Sequence, residues 1–148
     1  MKVFLVFIAS LFLLVACHTY SEQDKSNFDK EIQSYLKKKG LKLDKTSSGL
    51  YRNIKSKNKG KLIQYTDSVS ISYKGKLLNG KIIDNQKLPI TFAIKDIIAG
   101  WKEVLLSARK NDEIVMVIPP HLGYGDRVLT DIPVNSILYF EMKVVDVK

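Results

Sequence analysis

The chain has very little cysteine, which limits how its fold can be stabilised. Cys17 is the only cysteine in 148 residues, so no intramolecular disulfide can form. A chain of this length favours one domain with an attached segment over two full domains. We therefore expect the stability of the fold to come from a single hydrophobic core.

The chain also lacks the motifs of the common catalytic chemistries. It has no nucleophile elbow and no phosphate-cradling glycine loop, and its only histidines are His18 and His121. No residue spacing is typical of a zinc site, and we predict neither a metal nor a cofactor. His121 on its own is more typical of a loop residue than of a general base. Hydrolytic and metal-dependent reactions are therefore disfavoured.

Only one long hydrophobic run is present, over residues 3–16, and Ser10 alone interrupts it. These fourteen residues are too few to span a bilayer, which takes about 20, but they suit the hydrophobic region of a signal peptide. The tetrad Leu14-Val15-Ala16-Cys17 resembles the bacterial lipobox, which implies cleavage before the cysteine and a diacylglycerol on its sulfur. An ordinary secretory signal with an incidental cysteine is the alternative.

Lipidation of Cys17 would attach the mature protein to a membrane of the bacterial cell envelope. His18 follows it, where an aspartate would indicate retention in the inner membrane of some bacteria. We therefore expect an outer-membrane anchor, with the protein facing the periplasm.

Acidic residues are outnumbered by basic ones, 15 to 24, and the net charge is +9. Such a balance would ordinarily indicate nucleic acid as a partner. However, the lysines are spread along the chain without interleaved stacking aromatics, and the leader indicates export. We predict no nucleic-acid partner, and we interpret the charge as solvated faces with some attraction for anionic lipid headgroups.

A short helix is predicted near the N-terminus. Residues 18–25 are polar and unpatterned, which indicates a flexible tether. Ser26, followed three residues later by Asp29, is a capping-box signature. The apolar residues that then share one helical face are Phe28, Ile32, Tyr35 and Leu36. We expect the helix to end at Gly40 and to pack on the domain that follows.

The rest of the chain alternates between polar and apolar residues in several segments, which predicts half-buried strands. The alternating apolar residues are Val69, Ile71 and Tyr73; Ile90, Phe92 and Ile94; Ile114, Met116 and Ile118; and Leu138, Phe140, Met142 and Val144. Between the second and third groups, one helical face is formed by Ile97, Trp101, Val104 and Leu105. Asn79-Gly80 predicts a hairpin because both residues tolerate positive φ. The pattern as a whole predicts an antiparallel α+β domain.

Five segments closely resemble, in the same order, those of the FKBP-type peptidyl-prolyl cis/trans isomerases. They are VSISYKGKL at 69–77, GKIID at 80–84, IIAGW at 97–101, PPHLGYG at 119–125 and the stretch 132–140. The resemblance covers roughly residues 49–148. It implies an antiparallel, strongly twisted sheet of about five strands wrapped around one short helix, here preceded by the N-terminal helix.

The implied division of the chain is a lipoprotein signal peptide at 1–16, a lipidated tether with a short helix at 17–48, and an FKBP-like isomerase domain at 49–148. The implied activity is cis/trans isomerisation of X-Pro bonds in unfolded or exported polypeptides. Relatives that dimerise through long N-terminal helical domains have more sequence in that region, and we therefore expect a monomer.

The same resemblance implies a pocket for the proline ring, with Trp101 as its floor. The residues it implies for catalysis are Tyr73, Asp84, Ile98, Trp101, Tyr124 and Phe140, and those for substrate binding are Ile83, Ile90, Phe92, Ile97 and Ile132. The Ile98 N–H and the Tyr124 hydroxyl would donate to peptide carbonyls, with Asp84 at the rim. On periodicity alone, Trp101 and Phe140 are better explained as ordinary core.

Two positions depart from the family pattern. Ile83 and Ile90 stand where the family often has aromatic residues, which keeps the pocket apolar but changes its shape. A second hypothesis is therefore a non-catalytic chaperone or envelope-complex binding module that uses the same cleft. A purely structural lipoprotein is a third possibility, but it leaves the matched segments unexplained.

Overall fold

The computed structural model describes residues 20–56 and 59–148. The predicted signal peptide and the predicted lipidation site, Cys17, lie outside the described residues. Within those residues, no helix combines the length and the apolar character needed to cross a membrane.

Helix α1 spans Glu22–Lys39 and begins earlier than predicted. Its N-cap is Ser21, whose Oγ accepts a hydrogen bond from the Asp24 N–H at 3.1 Å, while the Asp24 carboxylate accepts one from the Ser21 N–H at 3.0 Å. It ends at Gly40, which takes the left-handed conformation with φ 64°. The predicted cap at Ser26 is therefore wrong, and the predicted tether is helical from residue 22 onward.

A six-stranded antiparallel sheet forms the body of the domain, in the order β1-β2-β5-β6-β3-β4. Its strands are β1 Asp44–Lys45, β2 Tyr51–Lys55, β3 Ser68–Leu77, β4 Ile82–Ala93, β5 Glu113–Ile118 and β6 Leu138–Val147. The predicted α+β class and the antiparallel sheet are confirmed. The strand beyond the expected five is β1, a two-residue strand inside the segment predicted to link the helix to the domain.

Helix α2, Ala99–Leu105, packs on one face of the sheet and buries Trp101, Val104 and Leu105 in the main core. Gly100 explains how closely it approaches β5, because a Cβ at this position would lie 2.6 Å from Ile118 Cγ2. The one-faced helix predicted here is confirmed, although Ile97 precedes its first turn.

Helix α1 covers the opposite face of the sheet. There Ile32, Tyr35 and Leu36 pack in a second cluster with Tyr51, Val117, Ile137 and Tyr139. Neighbouring strand residues belong to different clusters, since Tyr139 faces helix α1 whereas Phe140 faces the main core. The predicted packing of the N-terminal helix on the domain is thus present.

The hairpin between β3 and β4 forms where Asn79-Gly80 predicted it. The Leu77 N–H donates to the Lys81 carbonyl, and the Gly80 N–H donates to the Leu77 carbonyl, both at 2.9 Å. Only Gly80 takes a positive φ, 95°. Asn79 contributes instead through its side chain, which accepts a hydrogen bond from the Lys81 N–H at 2.9 Å.

Candidate functional site

A partly open cavity of about 380 Å³ lies where helix α2 meets β3, β4 and β6, a size typical of small-ligand sites. Its lining residues are Tyr73, Ile83, Asp84, Phe92, Asp96, Ile97, Ile98, Trp101, Tyr124, Arg127, Ile132 and Phe140. Three strands, the start of helix α2 and the loop before β6 all contribute, so the site depends on the whole domain being folded.

Trp101 is the centre of an aromatic wall. Three rings stand edge to face against its indole, with centroid distances of 4.8 Å for Tyr73, 5.0 Å for Phe140 and 5.8 Å for Phe92. Such perpendicular pairs are favourable because the positive edge of one ring meets the negative face of the other. Trp101 is only 6% exposed, so its indole is largely shielded from water.

Gly75 allows Phe140 to lie across β3. The two residues are paired in the sheet, and a Cβ on Gly75 would be 2.4 Å from Phe140 Cε1. Any larger residue at 75 would push the ring out of its place in the aromatic wall.

Asp84 is held at the rim by three hydrogen bonds. The Tyr73 hydroxyl donates to its Oδ2 at 2.5 Å, and its Oδ1 accepts from the Asn85 N–H at 2.7 Å and from Gln86 Nε2 at 3.0 Å. Burial raises the pKa of Tyr73, and its hydrogen bond to the Asp84 carboxylate raises it further. The Tyr73 phenol therefore stays protonated at neutral pH and fixes the carboxylate.

Two further donors line the cavity. Within the part of the chain that the structure describes, neither the Tyr124 hydroxyl nor the Ile98 N–H donates a hydrogen bond. Ile98 immediately precedes helix α2, where N–H groups have no partner within the helix. Burial raises the pKa of Tyr124, and the negative charge of the nearby Asp84 raises it further by a smaller amount. The hydroxyl therefore keeps its proton. Both groups can donate to a bound ligand.

The structure brings together most of the side chains that the sequence singled out. Lining the cavity are Tyr73, Ile83, Asp84, Phe92, Ile97, Ile98, Trp101, Tyr124, Ile132 and Phe140. Ile90 does not line it. It lies on β4 opposite Ile71 and is 36% exposed, on the far side of a register shift from Tyr73.

Sequence reasoning missed two charged lining residues, Asp96 and Arg127. Asp96 ends the 3₁₀ turn Ile94–Asp96 directly before Ile97, and Arg127 follows Tyr124 by three residues. Arg127 is close enough to Tyr124 to oppose the rise in its pKa. Their proximity in sequence to Ile97 and Tyr124 was the only available signal.

The arrangement offers an apolar hollow with hydrogen-bond donors and no positioned nucleophile and base. His121 is outside the cavity, and its Nε2 lies 2.9 Å from the Ser48 carbonyl oxygen. Across residues 20–56 and 59–148, no group of three or more His, Cys, Asp or Glu side chains is placed to hold a metal ion. The geometry suits a ligand with an apolar ring and carbonyl groups beside it.

Comparison with known proteins gives consistent matches. The family model of the FKBP-type peptidyl-prolyl cis-trans isomerases matches residues 59–145. The chain is 39% identical over 137 residues to an FKBP-type peptidyl-prolyl cis-trans isomerase FkpA of Buchnera aphidicola, covering 86% of this chain and 54% of the relative. A probable FKBP-type isomerase of Haemophilus influenzae is 40% identical over 131 residues, with the same two coverages.

The fold also resembles the crystal structure of FkpA from Escherichia coli. The TM-score is 0.73 at 33% identity, covering 86% of this chain and 62% of that one. The chain spans about half the length of the curated relatives that it matches.

Proposed function

The chain belongs to the family of FKBP-type peptidyl-prolyl cis-trans isomerases, and we propose that it accelerates X-Pro isomerisation in polypeptides exported to the bacterial cell envelope. One observation carries the proposal most strongly. An aromatic cavity floored by Trp101 is lined by Tyr124 and Ile98, whose donors have no partner among the described residues, and its lining contains no serine, cysteine, histidine or lysine.

The reaction needs little more than such a cavity. Rotation about an amide passes through a twisted state with a barrier of about 18–20 kcal/mol, because the nitrogen lone pair loses its overlap with the carbonyl. The planar amide is the more dipolar form, so transfer from water to an apolar hollow disfavours it relative to the twisted state. Every 1.36 kcal/mol, approximately, that the cavity removes from the barrier gives a factor of ten in rate.

The donors position the substrate on this wall. In the proposed complex the proline ring lies against the Trp101 indole, and the Tyr124 hydroxyl and the Ile98 N–H donate to carbonyls of the bound peptide. Asp84, fixed by Tyr73, provides a polar rim. Ile83 is an aliphatic residue in the lining, so this part of the wall lacks the face of an aromatic ring.

We further propose that a lipid on Cys17 holds the enzyme at the outer membrane, facing the periplasm, as a monomer without a nucleic-acid partner. Tyr20 rests on the domain, and Cys17 precedes it by only three residues, or about 10 Å of extended chain. The isomerase would therefore work close to the bilayer surface. Metabolic labelling with palmitate, compared between the wild-type chain and Cys17→Ser, tests the anchor directly.

The activity is tested by isomerisation of a chromogenic proline tetrapeptide, with the full-length chain in detergent. We expect catalysis that is lost in the double variant Trp101→Ala with Tyr124→Phe, and kept in Tyr139→Phe, whose hydroxyl lies under helix α1. Circular dichroism confirms that each variant is folded. A wild-type rate equal to that of buffer alone would contradict the proposal.

The second candidate is capture of unfolded segments without turnover. It is favoured by the apolar residues exposed beside the cavity, Val128 at 89%, Leu129 at 39% and Val134 at 49%. Such a surface can hold extended apolar chains. Binding of a denatured client that survives Trp101→Ala, in a chain without isomerase activity, would favour this function over the first.

A further inference from the structure

Tyr20 bridges helix α1 and the loop that borders the cavity. Its hydroxyl donates to Asn135 Oδ1 at 2.6 Å. Its ring stands edge to face against Phe28 of helix α1, 5.5 Å between centroids, and lies 6.2 Å from the ring of His121. The side chain therefore connects the start of the N-terminal helix to residues next to the candidate site.

The loop in contact with Tyr20 supplies a quarter of the cavity lining. We call residues 124–135 the cavity loop; it contributes Tyr124, Arg127 and Ile132. Its base is closed by a hydrogen bond of 2.7 Å from the Asn135 N–H to the Gly125 carbonyl.

The base of the cavity loop is conformationally demanding. Gly125 and Asn135 both have left-handed backbones, with φ of 61° and 59°. Asparagine tolerates this region better than most residues, but its backbone is still strained there. Tyr20 lies against both positions, since a Cβ on Gly125 would be only 3.4 Å from its hydroxyl oxygen. The phenol thus supports the strained closure of the loop.

We propose that Tyr20 is a positioning residue for the isomerase site. By holding Asn135 it keeps the cavity loop in the conformation that places Tyr124 and Ile132 against the substrate, although Tyr20 itself does not line the cavity. This inference rests on the proposed function and adds to it, because it makes the N-terminal segment part of the apparatus that binds the peptide.

The expected effect follows from the population of the competent loop. A ligand that binds only one conformation loses apparent affinity in proportion to the fraction of molecules in that conformation. Loss of one neutral hydrogen bond at the loop base is expected to raise the ratio of displaced to competent loop about fivefold, and this factor is divided between weaker peptide binding and greater exposure of the loop. The rate of the bound complex should change less, because the aromatic wall around Trp101 is untouched.

The test uses Tyr20→Phe in the full-length chain, which removes the hydroxyl and keeps the ring. Peptide affinity is read from the fluorescence of Trp101, the only tryptophan, during titration with a proline tetrapeptide. Order in the cavity loop is read from the rate of trypsin cleavage after Arg127, followed by mass spectrometry. We expect affinity and kcat/KM to fall and cleavage after Arg127 to rise, by two factors whose product is about five.

Two variants control for a merely structural role. Tyr51→Phe also removes a hydroxyl that joins helix α1 to the domain, at 2.9 Å from Asp29 Oδ1, but it is remote from the cavity loop. It should keep wild-type affinity and wild-type cleavage after Arg127. Asn135→Gly keeps the left-handed backbone and removes the acceptor. Adding Tyr20→Phe to it should cause no further loss.

The outcomes separate this inference from the proposed function. If Tyr20→Phe binds peptide and is cleaved like the wild type, or if Tyr51→Phe loses affinity by the same factor, the positioning role is overturned and the isomerase proposal stands. If the wild-type chain shows no isomerase activity, the proposed function fails. Cleavage after Arg127 then still decides whether Tyr20 orders the loop.

Discussion

The two faces of the sheet carry similar residues but have different access to solvent. Helix α1, with 18 residues, extends about 27 Å and covers its cluster, whereas the 7 residues of helix α2 extend about 10 Å. Such a short helix leaves part of the sheet uncovered beside Trp101, and the cavity lies there. The length of the covering helix therefore decides which of the two aromatic clusters can receive a ligand.

The chemistry of the two faces is otherwise closely matched. The Tyr73 hydroxyl donates to Asp84 beside the cavity, and the Tyr139 hydroxyl donates to Glu141 at 2.7 Å beneath helix α1. Burial, followed by the carboxylate partner, raises the pKa of each phenol. A buried tyrosine that donates to a carboxylate is therefore not in itself a sign of a site, and access provides the distinction.

The largest effects are expected when a major ring is removed from each face. Trp101→Ala and Tyr35→Ala should each lower the free energy of unfolding by about 3–5 kcal/mol, because both rings are at least nine-tenths buried. Only Trp101→Ala should abolish isomerisation. Urea unfolding and the tetrapeptide assay, run well below the unfolding midpoint, check both values. Loss of activity in a folded Tyr35→Ala chain would contradict the separation of the two faces.

A smaller effect is expected from Gly75→Ala, which adds one methyl group behind the cavity wall. Phe140 must then rotate from its place, at a cost of about 1–3 kcal/mol in stability. If the displaced ring enters the cavity, kcat/KM should fall by about tenfold to a hundredfold. Wild-type kcat/KM in this variant would show that the position of Phe140 does not matter for the site. Gly80→Ala controls for lost stability, because alanine is strained at its positive φ of 95° whereas the hairpin lies away from Phe140.

The matched tyrosines allow a sharper test with a still smaller change. Tyr73→Phe and Tyr139→Phe should each lower the free energy of unfolding by about 1 kcal/mol, since each removes one hydrogen bond. Tyr73→Phe should also lower kcat/KM about fivefold, because Asp84 loses one of the three hydrogen bonds that hold it at the rim. Tyr139→Phe should leave kcat/KM unchanged. Equal kinetic effects in the two variants would remove the distinction between the faces.

The smallest effect concerns alkaline pH. The pKa values of Tyr73 and Tyr139 are raised in the folded state above the ordinary 10.0, so the unfolded chain loses these protons first. Their contribution to stability is complete below pH 10 and is lost as the pH rises from there toward the folded-state values. Unfolding measured between pH 9 and 11 should thus show a weaker pH dependence in either Tyr→Phe variant. An unchanged slope would contradict the pKa shifts.

Most of the site could be predicted from the sequence because its residues lie on regular elements. Alternation placed Tyr73 and Phe140 on the inward face of their strands, and helical spacing placed Trp101 with Val104. The resemblance then distinguished a pocket from ordinary core, which periodicity could not do. The cavity lining does not include Ile90, which lies on β4, an edge strand with register shifts, and pairing irregularities leave no trace in an alternating pattern.

The start of helix α1 shows a different limit. Ser26 with Asp29, the predicted cap, stands beside the apolar stripe that begins at Phe28, but Ser21 with Asp24 has the same spacing and caps the helix. Ser21 directly follows Tyr20, whose side chain makes a tertiary contact: it packs on Phe28 and donates a hydrogen bond to Asn135. A contact across more than a hundred residues cannot be read from local spacing.

The most direct test of the central claim is the site of proline binding in solution. The full-length chain has one indole Nε1–H, that of Trp101, so its proton resonance is unambiguous. In a complex with a proline tetrapeptide, we predict nuclear Overhauser contacts between the indole protons and the protons of the proline ring. Binding or turnover of the peptide without any such contact, and with the Trp101 resonance unmoved, would contradict the account.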